Sequence, residues 1–354
     1  MSKANAGNFL EDFRLGQVIH HATPRTVTTG DVALYTALYG SRFALSSAAT
    51  FAESIGLARE GQAPLDDLLV FHVVFGKTVP DISLNAVANL GYAGGRFGVP
   101  VYPGDTLSAV STVIGLKENS NRQTGLVYVR TTGTNQHAAM VVDYVRWVMV
   151  RKRDPEAKLA DSEVPVLPDA VAAADLIVPP GLTLGAYDPI QAGSPFFWDD
   201  YAVGEKIDHV DGITIEEAEH MMATRLWQNT ARVHFNQYSE SQGRFGRRLI
   251  YGGHVLSLAR ALSFNGLGNA FRVAAINGGR HANPTFAGDT LFAWSEVLER
   301  SELPGRSDLG ALRLRLVACR NQPCPAFPLR AENGRDTDPA VVLDFDYTVL
   351  MPRR

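Results

Sequence analysis

Leu312, Leu314 and Leu316 alternate with Arg313 and Arg315, the pattern of a β-strand with one face in water. Residues 290–297 before this run and 342–350 after it also read as strands. The same trio occurs in the first half, at 106–114, 126–131 and 142–150. A stretch apolar on most faces and rich in small residues, 255–264, precedes the second trio; a strongly curved sheet needs such a helix at its centre. Earlier still, Thr28 to Asp31 opens 32–39 and Thr214 to Glu217 opens 218–223. Both have capping-box spacing, in which a threonine oxygen and a carboxylate three residues on each take one orphan amide, so each marks a helix start.

The two halves share more than an outline. Arg96, Pro100 and the run Gly104, Asp105, Thr106, Leu107 return in register as Arg280, Pro284, Gly288, Asp289, Thr290 and Leu291. Phe9, Asp12 and Gly16 return as Phe197, Asp200 and Gly204, and Asn135 and Gln136 as Asn321 and Gln322. Arg96 and Arg280 are 184 residues apart, Phe9 and Phe197 188, and Asn135 and Asn321 186. Matches in one order at a nearly constant offset are explained by duplication of a single domain, and a chain of 354 residues exceeds what one core usually serves. The fold class expected is α+β, a double hotdog: two short helices, one long buried helix and an antiparallel meander, twice over. The domains are expected at 1–153 and 194–354. Between them 154–193 is a linker rich in Pro, Ala and Asp, long enough that part of it should lie on a domain surface. The two Gly-Asp steps read as turns, because Gly tolerates positive φ and Asp caps its own loop.

A formal net charge of −4 supplies no basic field for nucleic acid and no patch for an anionic membrane, which leaves a small-molecule ligand. The first eight residues are polar and lack the apolar run of a signal peptide, and no stretch approaches a membrane span, so the expected location is the cytoplasm. Cys319 and Cys324 are the two cysteines, too few for a disulfide framework or a zinc site. Neither a metal nor a separate cofactor is expected.

Several motifs fail on inspection. Residues 71–78 end in Gly76, Lys77 and Thr78 like a phosphate loop, but begin with Phe71, and Pro80 interrupts the helix that should follow. The glycine-rich run 91–98 has the wrong spacing for a dinucleotide fingerprint; its counterpart 276–280 points to a backbone constraint instead. No nucleophile elbow, zincin helix or Cys/His cluster is present. His20, His21 and His209 read as surface residues near the first strand of each copy, and Asp81 as a helix cap after Pro80.

What remains is the loop 227–238, with Asn229, Arg232 and His234, directly after the first helix of the second copy. Its residues and their order resemble the MaoC-like (R)-specific enoyl-CoA hydratases. That family carries Asp-x-Asn-Pro-x-His after its first helix, then a His-Gly step into the central hotdog helix, then a Gly-Asp turn. His234 matches the family histidine, Asn229 stands where the family has its catalytic Asp, and Gly252 and Gly253 stand where it has His-Gly. In copy one the same positions are Ser41 and Ser46, so that half has lost the dyad. The resemblance implies one active site per chain, a CoA-thioester substrate with the coenzyme as part of it, and a homo-oligomer. The wording of 79–92 and 101–107 is nearest the branch that reversibly hydrates a branched, unsaturated dicarboxylic CoA thioester.

Hydrating such a double bond needs a base for water, an acid for the α-carbon and donors for the enolate oxygen. His234 titrates in the right range to be the base. Asn229 cannot exchange that proton and should orient the water through its amide; the second proton comes from His234 itself or from a carboxyl such as Glu240. The amide of Gly253 is expected to donate to the thioester oxygen at a helix start. A free acyl carboxylate needs a cation, and Arg232, or Arg42 at the matching place in copy one, could supply it. Two other classes stay open: a hotdog thioesterase, which would release free thiol, and a non-catalytic acyl-CoA binder, whose affinity would not depend on His234.

Overall fold

The computed structural model describes residues 3–159, 161–331, 333–334 and 336–354. Met1 and Ser2 of the polar amino-terminal stretch, and Ala160 of the linker, lie outside the described residues. The first half runs β1 (Val18–His20), β2 (Arg25–Thr26), α1 (Thr29–Tyr39), α2 (Ala44–Ser47), α3 (Ala49–Ser54), α4 (Asp67–Thr78), then β3 (Ala86–Phe97), β4 (Thr106–Glu118), β5 (Thr124–Thr134) and β6 (Met140–Arg151). After α5 (Pro189–Ala192), the second runs β7 (Lys206–Thr214), α6 (Glu217–Leu226), α7 (Arg232–Phe235), α8 (Gln237–Glu240), α9 (Gly252–Leu262), α10 (Phe264–Leu267), β8 (Arg272–His281), β9 (Thr290–Leu303), β10 (Arg306–Arg320) and β11 (Val341–Pro352). Each half curls an antiparallel sheet around one buried helix, α4 or α9, which is the hotdog arrangement.

The two sheets are one. Strands follow the order β1-β4-β5-β6-β3-β8-β11-β10-β9-β7, with β2 paired to β4. At the junction Tyr92 faces Gly279 and Gly95 faces Ile276. The repeat offset of 184 carries each of these pairs onto the other, so the halves meet about a two-fold axis between β3 and β8. Close neighbours on β6 and across this junction explain the glycine-rich run that has no strand pattern in sequence. A Cβ on Gly91 would stand 2.2 Å from the Trp147 ring, and one on Gly95 2.9 Å from Ile276 Cβ; only glycine lets the neighbours come that close. The largest apolar cluster crosses the seam, joining Phe71 and Phe75 of α4 to Trp227, Tyr251 and Val255.

Thr28 caps α1 as expected, its hydroxyl accepting from the Asp31 amide while the Asp31 carboxylate accepts from the Thr28 amide. Thr214 does not cap α6. It ends β7 and pairs its hydroxyl with that of Thr290, and the cap position falls to Glu216 without a side-chain bond. His21 and His209 are buried rather than at the surface, because each finds polar partners far away in sequence. His21 Nδ1 meets the Asp81 carboxylate at 2.7 Å and Nε2 meets Ser111 Oγ at 2.8 Å. His209 meets Asn265 O at 2.7 Å and Ser295 Oγ at 2.8 Å. The Asp81 carboxylate is therefore a hydrogen-bond partner of His21 and not a helix cap, whereas His20 is exposed. Part of the linker lies against the folded body: Leu176 and Leu182 are buried with Phe51, Ile55 and Phe271, and the Val171 amide donates to Asn277 Oδ1.

Candidate active site

A cavity of about 790 Å³ opens between the halves, walled by the ends of α4 and β3 from the first and by 229–252 and 281–285 from the second. Its chemistry starts where α6 ends. Gln228 takes a left-handed backbone conformation, φ 57°, which turns the chain sharply out of the helix at some cost for a residue with a Cβ. The next amide, of Asn229, closes on Thr224 O at 2.9 Å. Asn229 is 1 % exposed, and its Oδ1 accepts the Ala231 amide at 3.2 Å, which starts α7. The Asn229 side-chain nitrogen, on the cavity wall, makes no hydrogen bond among the described residues.

His234 rides on α7. The segment is clamped in both directions to the strand-like stretch that returns to α9: Leu249 donates its amide to Val233 O at 3.0 Å, and His234 Nδ1 lies 3.0 Å from Leu249 O. A carbonyl can only accept, so Nδ1 carries the hydrogen, and Nε2 is left with a lone pair. Burial lowers the His234 pKa to about 4, against the opposing pull of the Leu249 carbonyl. The imidazole is thus unprotonated at neutral pH, with Nε2 free to accept a proton, although burial places it below the near-neutral range expected from its residue type. His220 and His254 stand behind it, their pKa values pushed by burial to about 2 and about 3. His220 Nε2 accepts the Tyr251 amide at 2.9 Å and so fixes the residue that begins α9.

At that start the amides of Gly252 and Gly253 have no acceptor among the described residues, as befits the first turn of a helix. A side chain at either would press on a neighbouring ring. A Cβ on Gly252 would meet the His281 ring at 2.2 Å, and one on Gly253 the Tyr251 ring at 2.3 Å and His72 Cε1 at 2.6 Å. The site can therefore supply a neutral base, an amide donor and two unpaired backbone N–H groups beside one cavity.

The sequence-derived residues do not all converge. His234, Asn229, Arg232, Gly252 and Glu240 line the cavity, and Gly253 follows Gly252 in the same turn. Glu240 accepts from Ser239 Oγ at 3.0 Å. Arg232 is exposed and donates to Asn85 Oδ1 at 3.0 Å. Arg42 is exposed and stands outside the cavity wall. The matching region of copy one has collapsed to a void of about 10 Å³, where the Arg260 guanidinium lies 3.6 Å from the centre of the Phe43 ring above Asp66 and Asp67. Three cavity residues went unnoticed in sequence: Tyr251, His281 and Arg146. His281 sits in the repeated segment where copy one has Phe97, a hint that was available. Among the described residues no group of three or more His, Cys, Asp or Glu is placed to hold a metal, and no helix is long and apolar enough to cross a membrane.

Residues 2–333 match the family model described as mesaconyl-CoA hydratase. The chain is 66 % identical over 353 residues to the β-methylmalyl-CoA dehydratase of Chloroflexus aurantiacus, covering 100 % of this chain and 99 % of that protein. It is 61 % identical to the mesaconyl-CoA hydratase of Cereibacter sphaeroides, covering 99 % of this chain and 100 % of the relative. A crystal structure of a MaoC domain protein dehydratase from Chloroflexus aurantiacus superposes with a TM-score of 0.96 at 66 % identity, over 100 % of both chains.

Proposed function

The chain belongs to the mesaconyl-CoA hydratase family, and from that premise we propose that His234, Asn229 and the start of α9 carry out the family's hydration in the cavity between the halves. The protein is a hydro-lyase that interconverts mesaconyl-CoA and β-methylmalyl-CoA. In that reaction the hydroxyl joins the carbon bearing the free carboxylate, and the proton joins the methyl-bearing carbon next to the thioester. His234 Nε2 takes a proton from water as the oxygen attacks, while Nδ1 stays bonded to Leu249 O. The Asn229 side-chain nitrogen, unengaged on the wall, donates to the water and orients it. Negative charge then gathers on the thioester oxygen, where the Gly253 amide donates, with Gly252 beside it; a helix start favours that charge. The imidazolium returns its proton to the α-carbon. A group whose pKa is held near 4 by burial gives up a proton readily, so Glu240 is not needed for this step.

The observation that carries this reading is the free, neutral Nε2 of His234 on the wall beside two unpaired amides. His234→Gln should lower kcat for mesaconyl-CoA by roughly 10²–10⁴-fold, followed as loss of enoyl-thioester absorbance, with no free thiol released. Full activity in that variant, or thiol release by the wild type, overturns it. Glu240→Gln should stay within about tenfold of wild type, the range left when a group is not the general acid. We further propose a cytoplasmic homo-oligomer, supported by exposed apolar side chains such as Ile190, Val203 and Val210.

A further inference from the structure

Arg146, on β6, is 0 % exposed and forms part of the cavity wall. Its guanidinium lies 4.2 Å from the centre of the Phe75 ring, and Nη2 donates to Thr78 Oγ1 at 2.7 Å. Nε and Nη1 are buried with no hydrogen-bond partner. No carboxylate reaches it among the described residues: the ionisable groups acting on it are the hydroxyls of Tyr144, Tyr92 and Tyr251, none of them anionic at neutral pH. Of the other buried cations, Arg272 is paired with Asp67 at 3.3 Å and Lys152 with Glu118 at 2.8 Å, while Lys77 and Arg260 donate to the backbone carbonyls of Thr23 and Ala270. A dry guanidinium with unused N–H groups is costly to keep unless an anion visits it. It belongs to the same aromatic wall as the base, since the Phe75 ring packs on Tyr251 and Tyr251 on His234, with centroids 5.6 and 5.4 Å apart.

Resting on the hydratase reading above, we propose that Arg146 receives the free carboxylate of the acyl group and is the residue that selects dicarboxylic over monocarboxylic CoA thioesters. Nη1 and the second hydrogen of Nη2 form the planar fork that a carboxylate accepts from. That carboxylate is bonded to the carbon being hydrated, so one contact neutralises the buried cation and sets the reacting carbon against the base. Arg232 is the weaker candidate: it is exposed and already bonded to Asn85.

Succinyl-CoA and butyryl-CoA, which cannot be hydrated and differ in a terminal carboxylate against a methyl, separate this role from general packing. The wild type should bind succinyl-CoA on the order of 100-fold tighter, and Arg146→Gln should erase most of that preference. Equal weakening of both ligands in the variant, or an unchanged preference, overturns the assignment. Should Arg146→Gln not fold, Arg146→Lys, which keeps the charge and loses the fork, should lose part of the preference. A crystal of the wild type with succinyl-CoA should show the carboxylate on Nη1; a carboxylate on Arg232 overturns the assignment without any variant. Hydration of mesaconyl-CoA by the wild type is measured alongside: its absence removes the functional reading, whereas its presence with no role for Arg146 removes this inference alone.

Discussion

Gly76 tests whether the first half positions the chemistry of the second. It lies in the last turn of α4, and a Cβ there would stand 1.7 Å from the carbonyl oxygen of Trp227 and 2.9 Å from its carbon. Both partners are backbone, one in a helix and one at the entrance to the catalytic loop, so neither can swing aside as a side chain would. On helix propensity alone Gly76→Ala should stabilise by about 1 kcal/mol. Restoring even the tightest contact real Cβ atoms make, 3.0 Å, requires the segments to part by about 1.3 Å, and overpacking of this kind costs about 1–3 kcal/mol. The net expectation is a destabilised protein, the reverse of the propensity rule. Trp227 is two residues before Asn229, and a 1 Å misplacement of catalytic groups costs about 100-fold in rate, or about 2.7 kcal/mol. The measurements are the thermal midpoint and kcat/KM for mesaconyl-CoA. Gly185→Ala, at a glycine with nothing within 4 Å, is the control and should change neither. A Gly76→Ala protein with a raised midpoint and wild-type kcat/KM would refute the claim that α4 sets the position of the loop.

Three further outcomes follow from the same contacts. Burial holds His72, His209, His220 and His254 at about 3, 4, 2 and 3, below the ordinary value of 6.5. The unfolded chain therefore binds protons that the folded one does not, and stability is full above pH 6.5 and lost as pH falls toward 4. Each histidine contributes up to about 1.4 kcal/mol per pH unit in that window, so urea midpoints should drop steeply between pH 7 and 5; equal midpoints would contradict the burial. Because His234 is held near 4, kcat/KM should show no acid limb between pH 8 and 6, and a limb centred at 6.5 would mean a solvated imidazole. The nearest atoms a Cβ on Gly252 would meet belong to the His281 side chain and not to backbone, so Gly252→Ala should cost less activity than Gly76→Ala; the reverse order would place the rigid constraint at α9 instead.

The strands and the duplication were legible because alternation and repeated turns are local signals. The Leu312 to Leu316 run lies inside β10, and Gly104-Asp105 and Gly288-Asp289 precede β4 and β9. The glycine-rich β3 and β8 were not legible. Their identity comes from what packs against them, Trp147 on the neighbouring β6 or Ile276 across the seam, and no periodicity records that. Capping-box spacing held at Thr28 and failed at Thr214, where a cross-strand partner, Thr290, competed for the hydroxyl. The site divides on the same principle. Asn229, Arg232 and His234 are close in sequence and were found as a loop. Tyr251, His281 and Arg146 reach the cavity from three separate elements and carry no shared motif.

Arg42 and Arg146 show why reasoning by internal symmetry misplaces function after a duplication. Arg42 was drawn in because it matches Arg232 across the repeat, but the repeat no longer has two equivalent clefts: one holds about 790 Å³ and the other about 10 Å³. The difference lies in which buried cation already has its hydrogen-bond partners. In the closed copy Arg260 fills the void between Phe43 and Asp66, donating to Ser263 Oγ and to Ala270 O, so nothing there asks for a ligand. In the open copy Arg146 sits on the first half's sheet with two nitrogens unpaired. Loss of the dyad at Ser41 and Ser46 therefore left that half a different task. It supplies α4 as a buttress for the Trp227 carbonyl and β6 as the carrier of a buried cation, while the second half carries His234, the base proposed above. In the proposed reaction the two copies of one fold would divide acyl recognition from proton transfer, and the cavity draws its wall from both halves.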